Sequence, residues 1–439
     1  MRDIALALFI FGMLPYILVR PYVGLLVWSW LGYMNPNRLC YGFAISFPWV
    51  YLVAIVTLVS LLFSKESKRI PRSATSALLV MFLLWTGLTT FFAVVPDSAW
   101  EEWQRFAKVL VMVFFTLILV NSRERMHWLV WMIVVSLGFY GVKGGLFTIL
   151  SGGANHVFGP PASFIADNNA LALALCMTLP FMRYLQLHTS QKFVRLGLAV
   201  SMLLTGVAIL GTYSRGGLIA LVIVSGTLFL KSRGRLVVFL MIAVLGLTIF
   251  HFMPAQWTDR MDTLHHAEQT DSGETRIQSY EFAANVAMHR PLLGGGLNVY
   301  QSDSMWQSYG PEGAVPRAIH SIYFRALGEQ GFPGLALFLA LLLVSWKACS
   351  RIRQRTRKIS EEKWAFDLAS MLQVSLVAFM AAGTFLPMTY FDLAYQVMAL
   401  CAVLELHVRQ LASEPAETRL RGIAGARFRG PALPKALPE

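Results

Sequence analysis

Apolar runs long enough to span a bilayer recur along nearly the whole chain, and this recurrence constrains the fold more than any other feature. They lie at 45–63, 74–93, 105–120, 127–150, 166–186, 194–212, 215–230, 235–252, 331–348, 366–388 and 391–408. A chain of 439 residues that is 56% hydrophobic and 14% charged, with a mean hydropathy of +0.57, cannot wrap such segments in a water-soluble surface. The pattern predicts an all-α polytopic membrane protein. Several runs are short, so tilt, breaks or flanking residues must supply the remaining length.

The net charge of +13 suggests nucleic acid at first sight. The cations, however, sit in short clusters between apolar runs: Lys65 to Arg72, Arg123 with Arg125, Lys192 with Arg195, Lys231 to Arg235, and Arg351 to Lys363. They fall on alternate connections, as the positive-inside bias requires, so they mark a cytoplasmic face and no nucleic-acid partner is expected. The opposite face then receives Asp97 to Glu102, 151–165, the turn Thr212 to Arg215, one long polar stretch at 253–320, and Pro387 to Asp392. Residues 4–34 hold two apolar pieces split at Arg20-Pro21. One broken crossing there gives about twelve spans with both termini inside, and two full crossings give thirteen with the N-terminus outside; twelve is the expectation. The organisation expected is N-terminal transmembrane helices over 1–252, a loop or lid bearing amphipathic helices over 253–320, C-terminal transmembrane helices over 321–410 and a disordered cytoplasmic tail over 411–439. Met1 to Val19 lacks a basic n-region and a small-residue cleavage site, and reads as retained. Cys40, Cys176, Cys349 and Cys401 show neither a disulfide framework nor metal-ligand spacing.

Within the polar stretch the acids Asp259, Asp262, Glu268, Asp271, Glu274, Glu281, Asp303 and Glu312 outweigh Arg260, Arg276, Arg290 and Arg317. Each arginine there therefore calls for a reason. From Arg276 to Met288 the residues Ile277, Tyr280, Ala284 and Met288 recur near helical spacing, which predicts an amphipathic helix lying on the membrane surface and ending at Pro291-Leu-Leu-Gly-Gly-Gly. In Gly211-Thr-Tyr-Ser-Arg-Gly-Gly217, Ser214 can cap the next helix, so Arg215 falls in a first turn where the helix dipole disfavours a cation. A bound anion would explain it; interfacial snorkelling is the plainer alternative. The stretch closes on His320 in Pro316-Arg-Ala-Ile-His-Ser-Ile-Tyr323.

Taken together, Thr212-Tyr-Ser-Arg-Gly-Gly, the Arg276 helix with His289-Arg-Pro-Leu-Leu-Gly-Gly-Gly, and Ile319-His-Ser-Ile-Tyr-Phe-Arg-Ala-Leu-Gly-Glu-Gln-Gly-Phe-Pro-Gly334 resemble the O-antigen ligase and polymerase superfamily. Ser321 stands where the family usually has Asn. Leu14 to Gly24, Tyr33 to Arg38 and Phe158 to Asn169 resemble its exosortase-associated O-glycosylation ligase subgroup, and the likeness covers roughly residues 1–410. The resemblance implies a GT-C-like glycosyltransferase in a Gram-negative inner membrane. It would transfer a glycan from an undecaprenyl-pyrophosphate-linked donor to an acceptor hydroxyl on the periplasmic face, inverting and without a metal or other cofactor. The residues suit that chemistry: Arg215 and Arg276 as a pyrophosphate clamp, His320 as the base for the acceptor proton. The acceptor expected is a lipid A–core sugar, with a protein Ser/Thr or a second lipid-linked glycan as alternatives.

Secondary candidates have plainer readings beside them. Arg290 is a reserve for the clamp but precedes a turn proline; Lys108 could bind phosphate at the outer surface but can snorkel; Asp167 and Asn169 could bind acceptor or sugar, though Asp is a routine N-cap at the start of a span; Tyr213 lies in the turn before Arg215. Glu329 would orient His320, close the vestibule or pack helices. Trp257 and Trp306 could stack on sugars, whereas most other tryptophans read as an interfacial belt. His265-His266 and His289 lack metal-ligand spacing. A flippase or transporter of a lipid-linked glycan is the non-enzymatic alternative, but the unusual polar residues gather at the outer rim rather than at the bilayer midplane, which favours an enzyme.

Overall fold

The computed structural model describes residues 1–66, 68, 70–231 and 271–413, with a few positions between 236 and 257. Among the described residues the fold is helical with no β-strand, and seven helices are long and apolar enough to cross a membrane. Most of the run expected at 235–252, His265-His266, the acidic half of the polar stretch before Asp271, and residues 414–439 lie outside the described residues.

The first two helices revise the expected single broken crossing. α1 (Arg2–Val19) and α2 (Pro21–Met34) do part at Arg20, which is extended (φ −135°, ψ 93°), and Pro21 opens α2 where its missing N–H costs nothing. But the chain reverses there. The Asp3 carboxylate accepts hydrogen bonds from the Gly42 and Ala44 amides (2.8 and 3.1 Å), just beyond the end of α2. At the other end Tyr22 donates to the Arg125 carbonyl (2.6 Å), beside a bidentate Arg125–Glu66 pair on the basic face. The two helices thus form an antiparallel hairpin, with α3 (Trp49–Phe63) returning alongside α1, where Ser60 donates to the Leu18 carbonyl (3.0 Å).

α4 (Ala74–Phe91), α5 (Pro96–Leu119) and α6 (Arg123–Leu150) follow, and Ser73 and Ser122 cap α4 and α6. α7 (Asn168–His188) is the central post: it is buried from Ala170 to Gln186 between α6, α8 (Lys192–Gly211), α9 (Arg215–Lys231) and α13 (Lys363–Gly383). Small residues permit this density. A Cβ on Gly141 would lie 2.3 Å from Thr205 Oγ1, and one on Gly145 would lie 2.1 Å from the Leu204 carbonyl oxygen. The basic connections also gather on one face, where His188 meets Asp367 (3.1 Å) and Lys231 reaches Gln373 (2.7 Å).

At the opposite face the polar stretch builds a small core of its own. α10 (Asp271–His289) and the short α11 (Asp303–Tyr309) enclose Phe282, Val286, Val299, Trp306 and Ile319, with the Phe282 and Trp306 rings stacked at 4.1 Å. The helix expected from Arg276 is present, but its packing face is a different stripe. Phe282, Ala283, Val286 and Ala287 are buried, whereas Ile277 and Met288 are 48% and 70% exposed. Two apolar stripes share this helix; the sequence reading took the outer one, because alanines in the inner stripe weaken its contrast. α10 lies against α12 (Ile322–Thr356), so close that a Cβ on Gly328 would sit 3.0 Å from Ala283 Cβ. α14 (Asp392–Ser413) completes the described helices.

Candidate active site

α12 is bent at Gly331 (φ 67°, ψ −173°), two residues before Pro333, and the bend organises this end of the molecule. Pro333 has no N–H for the Glu329 carbonyl, and the Phe332 N–H turns away to the Pro291 carbonyl (2.9 Å). Two carbonyls are thereby released from the helix ladder. The Gly295 and Gly296 amides take them, at 2.9 Å to Gly328 and 3.0 Å to Glu329. The Pro291-to-Gly296 segment and the Glu329-to-Gly334 segment, separate in the sequence, are therefore one tertiary unit. Glycine is required in it: Gly296 has φ +80°, and a Cβ there would lie 2.3 Å from Ala93 Cβ.

A buried ion cluster lies beneath this joint. Glu329 accepts from the Asn298 amide and Arg325 Nε (both 3.0 Å) with one oxygen and from the Tyr390 hydroxyl (2.8 Å) with the other. Arg325 also donates to the Pro387 carbonyl (2.6 Å), Glu102 (3.2 Å) and Asn298 Oδ1 (3.3 Å). Glu329 is fully buried, and its carboxylate bonds Asn298, Arg325 and Tyr390. Arg325, Glu102, Asn298 and Tyr390 were not among the sequence candidates. The spacing of Arg325 and Glu329, four residues apart, was the available signal.

His320 lies just before α12, half-buried. Its carbonyl is held by the Tyr280 hydroxyl (2.8 Å), which also approaches the Thr384 carbonyl (3.2 Å), while the Tyr280 ring stacks on Phe324 at 4.7 Å. Tyr280 stands one turn beyond Arg276 on α10. Burial pushes the His320 imidazole below its ordinary pKa; the charges of Arg276 and Arg325 act in the same direction, and Asp167 opposes them. His320 therefore lies within the fields of Arg276 and Asp167, residues 44 and 153 positions away in the chain.

Arg215 begins α9 from the opposite side. Its turn is rigid: Tyr213 is left-handed (φ 56°) and buried, its hydroxyl bonds the Gly153 carbonyl (2.5 Å) and its ring stacks on His156 at 4.3 Å. Asn168 donates to the Thr212 carbonyl (2.8 Å), and Ser214 caps α9 through the Gly217 amide (3.0 Å). A Cβ on the next residue, Gly216, would sit 3.4 Å from Phe385 Cβ. The start of α9 at Gly216 thus adjoins the Thr384–Phe385 turn that Tyr280 also reaches.

The remaining candidates separate. Asp167 is the N-cap of α7, accepting from the Asn169 and Ala170 amides (2.8 and 3.1 Å), yet its charge bears on His320. The Asn169 side chain bonds Asn168 (3.2 Å). Tyr213 has committed its hydroxyl to the backbone. Arg290 bonds the Phe92 carbonyl (3.3 Å) at the far end of α10, and Lys108 stands over the Tyr51 ring at 5.0 Å on the flank of α5; neither joins His320. Trp257 and Trp306 are buried, with their indole N–H groups bonded to the Leu210 and Tyr300 carbonyls, so the sugar-stacking expectation for them does not hold.

Residues 200–339 match the family described as O-antigen ligase, and residues 1–190 match a family of unknown function (DUF5935). No curated protein matches the chain.

Proposed function

We propose, from the match of residues 200–339 to the O-antigen ligase family, that the chain transfers a glycan from undecaprenyl pyrophosphate to an acceptor hydroxyl at the periplasmic face of a Gram-negative inner membrane. The observation that carries this reading is the half-buried His320 at the polar face, its carbonyl held by Tyr280 and its imidazole under the charges of Arg276, Asp167 and Arg325.

In the proposed step the acceptor oxygen bonds to the anomeric carbon as the bond from that carbon to the pyrophosphate oxygen breaks, with inversion. The acceptor proton passes to the imidazole of His320. A group that must accept a proton has to be neutral beforehand, and burial together with Arg276 favours the neutral ring. Undecaprenyl pyrophosphate leaves as an anion that needs no proton, and Arg215 and Arg276 offer guanidinium groups to its growing charge. Asp167 stabilises the imidazolium that results.

Purified protein supplied with an undecaprenyl-pyrophosphate glycan and lipid A–core is expected to transfer the glycan in the presence of EDTA, and His320→Ala to abolish transfer while the protein stays folded. Full activity of His320→Ala would remove the base, and a strict metal requirement would remove the mechanism. Offering a Ser/Thr protein or a second lipid-linked glycan in the same assay decides the acceptor, for which the lipid A–core sugar is the proposal.

A further inference from the structure

Away from His320, where α1 and α2 meet α6, a cavity of about 540 Å³ opens on the same face of the bundle. Its walls are graded. α1 presents Arg2, Leu6 and Phe9 along one stripe, and α6 presents Lys143 with Phe139 one turn deeper. Phe9 and Trp30 meet edge to face at 5.1 Å and form the apolar wall. Both cations stand at the rim. Arg2 donates to the Leu39 carbonyl (3.2 Å), in the segment following α2, and Lys143 lies some 20 residues, about 30 Å, along α6 from the basic face.

Two cations on the face opposite the basic clusters are not explained by topology. Among the described residues neither forms an ion pair, and the neighbouring Asp3 is turned to the Gly42 and Ala44 amides. A wall that is cationic at the rim and aromatic within matches an amphiphile with an anionic head and an apolar tail. We propose that this cavity holds an anionic phospholipid of the outer leaflet, its phosphodiester between Arg2 and Lys143 and an acyl chain against Phe9, Trp30 and Phe139. One arginine and one lysine on separate helices suit a single phosphodiester head. The site is independent of the transfer chemistry at His320 and ties α1 and α2 to α6.

Full-length protein from nanodiscs of phosphatidylglycerol and phosphatidylethanolamine, released for native mass spectrometry, tests this. Wild type is expected to retain one phosphatidylglycerol in preference to phosphatidylethanolamine by at least about fivefold, the selectivity one basic side chain near an anionic head supplies. The double variant Arg2→Ala/Lys143→Ala should lose that preference. Equal retention of both lipids by wild type, undiminished preference in the double variant, or displacement of phosphatidylglycerol by undecaprenyl phosphate at equal concentration would each overturn the proposal. Should the double variant fail to fold, the unaltered cations can be read directly. Brominated phosphatidylglycerol should quench wild-type tryptophan fluorescence more than brominated phosphatidylethanolamine does, and Trp30→Phe should remove the difference; equal quenching would overturn the assignment.

Discussion

His320 shows how much of one residue's chemistry comes from neighbours distant in the chain. Its imidazole is pushed down by burial and by Arg276, and up by Asp167, so the two substitutions must act with opposite signs. Arg276→Gln removes a positive neighbour, raises the His320 pKa and should move the acid limb of the pH–rate profile to higher pH. It should also slow transfer by about 100-fold if the guanidinium stabilises the departing pyrophosphate. Asp167→Asn removes a negative neighbour and should move the same limb to lower pH. In the wild type, transfer should decline only as the pH falls below the ordinary imidazole value of about 6.5, because the lowered pKa keeps His320 neutral to a lower pH and the base is lost only once the ring is protonated there. Profiles of the three proteins at saturating donor check this; parallel shifts in both variants would separate His320 from the acid limb. The residue types were legible in sequence, since Arg215, Arg276 and His320 stand in recognisable motifs. Asp167 reads as an N-cap, which it is, and only the fold puts its charge near the histidine.

At the scale of elements, the kinked α12 and the triple-glycine segment hold each other. Glu329→Ala would leave Arg325 buried with one fewer counterion and free the Asn298 amide and Tyr390 hydroxyl, at a cost of about 3–5 kcal/mol. Glu329→Leu with Arg325→Met removes both buried charges, and Glu102, partly exposed, can turn to water; this pair should be less damaging than Glu329→Ala alone. Thermal unfolding in a fixed lipid background orders the three proteins. Gly331→Ala should also destabilise, because the position needs φ 67° and a Cβ there would lie 2.4 Å from the Leu292 carbonyl oxygen. The periodicity that revealed α10 could not choose between its two apolar stripes, since the choice depends on Gly328 admitting Ala283. The single-span reading at 331–348 began late for a related reason: Arg325, Glu329 and Gln330 look too polar for a spanning helix until their partners are seen.

For the whole molecule, the hairpin of α1 and α2 brings residue 3 to the same end of the bundle as residues 42–44. With Asp3 beside Gly42 and Tyr22 beside Arg125, residue 3 and residues 42–44 share the face opposite the basic clusters. In a background with Cys40, Cys176, Cys349 and Cys401 replaced by Ser, a cysteine at position 42 or near position 3 should react with a membrane-impermeant maleimide in intact spheroplasts, and one at Lys65 only after permeabilisation. Labelling near position 3 only after permeabilisation would restore the single broken crossing.

The sequence by itself determined the class of protein, because apolar runs of spanning length leave a chain no soluble alternative, and it determined the polarity of the bundle, because cations cluster on alternate connections. It also marked where the polar chemistry gathers, since the motifs carrying Arg215, Arg276 and His320 all fall on connections of one side. Only the tertiary structure decided what meets there. The reversal at Arg20, the inward stripe of α10 and the Arg325–Glu329 cluster depend on hydrogen bonds and close contacts between segments tens to hundreds of residues apart. Hydrophobic periodicity reports which residues avoid water, and it carries no information about which buried partner each of them finds.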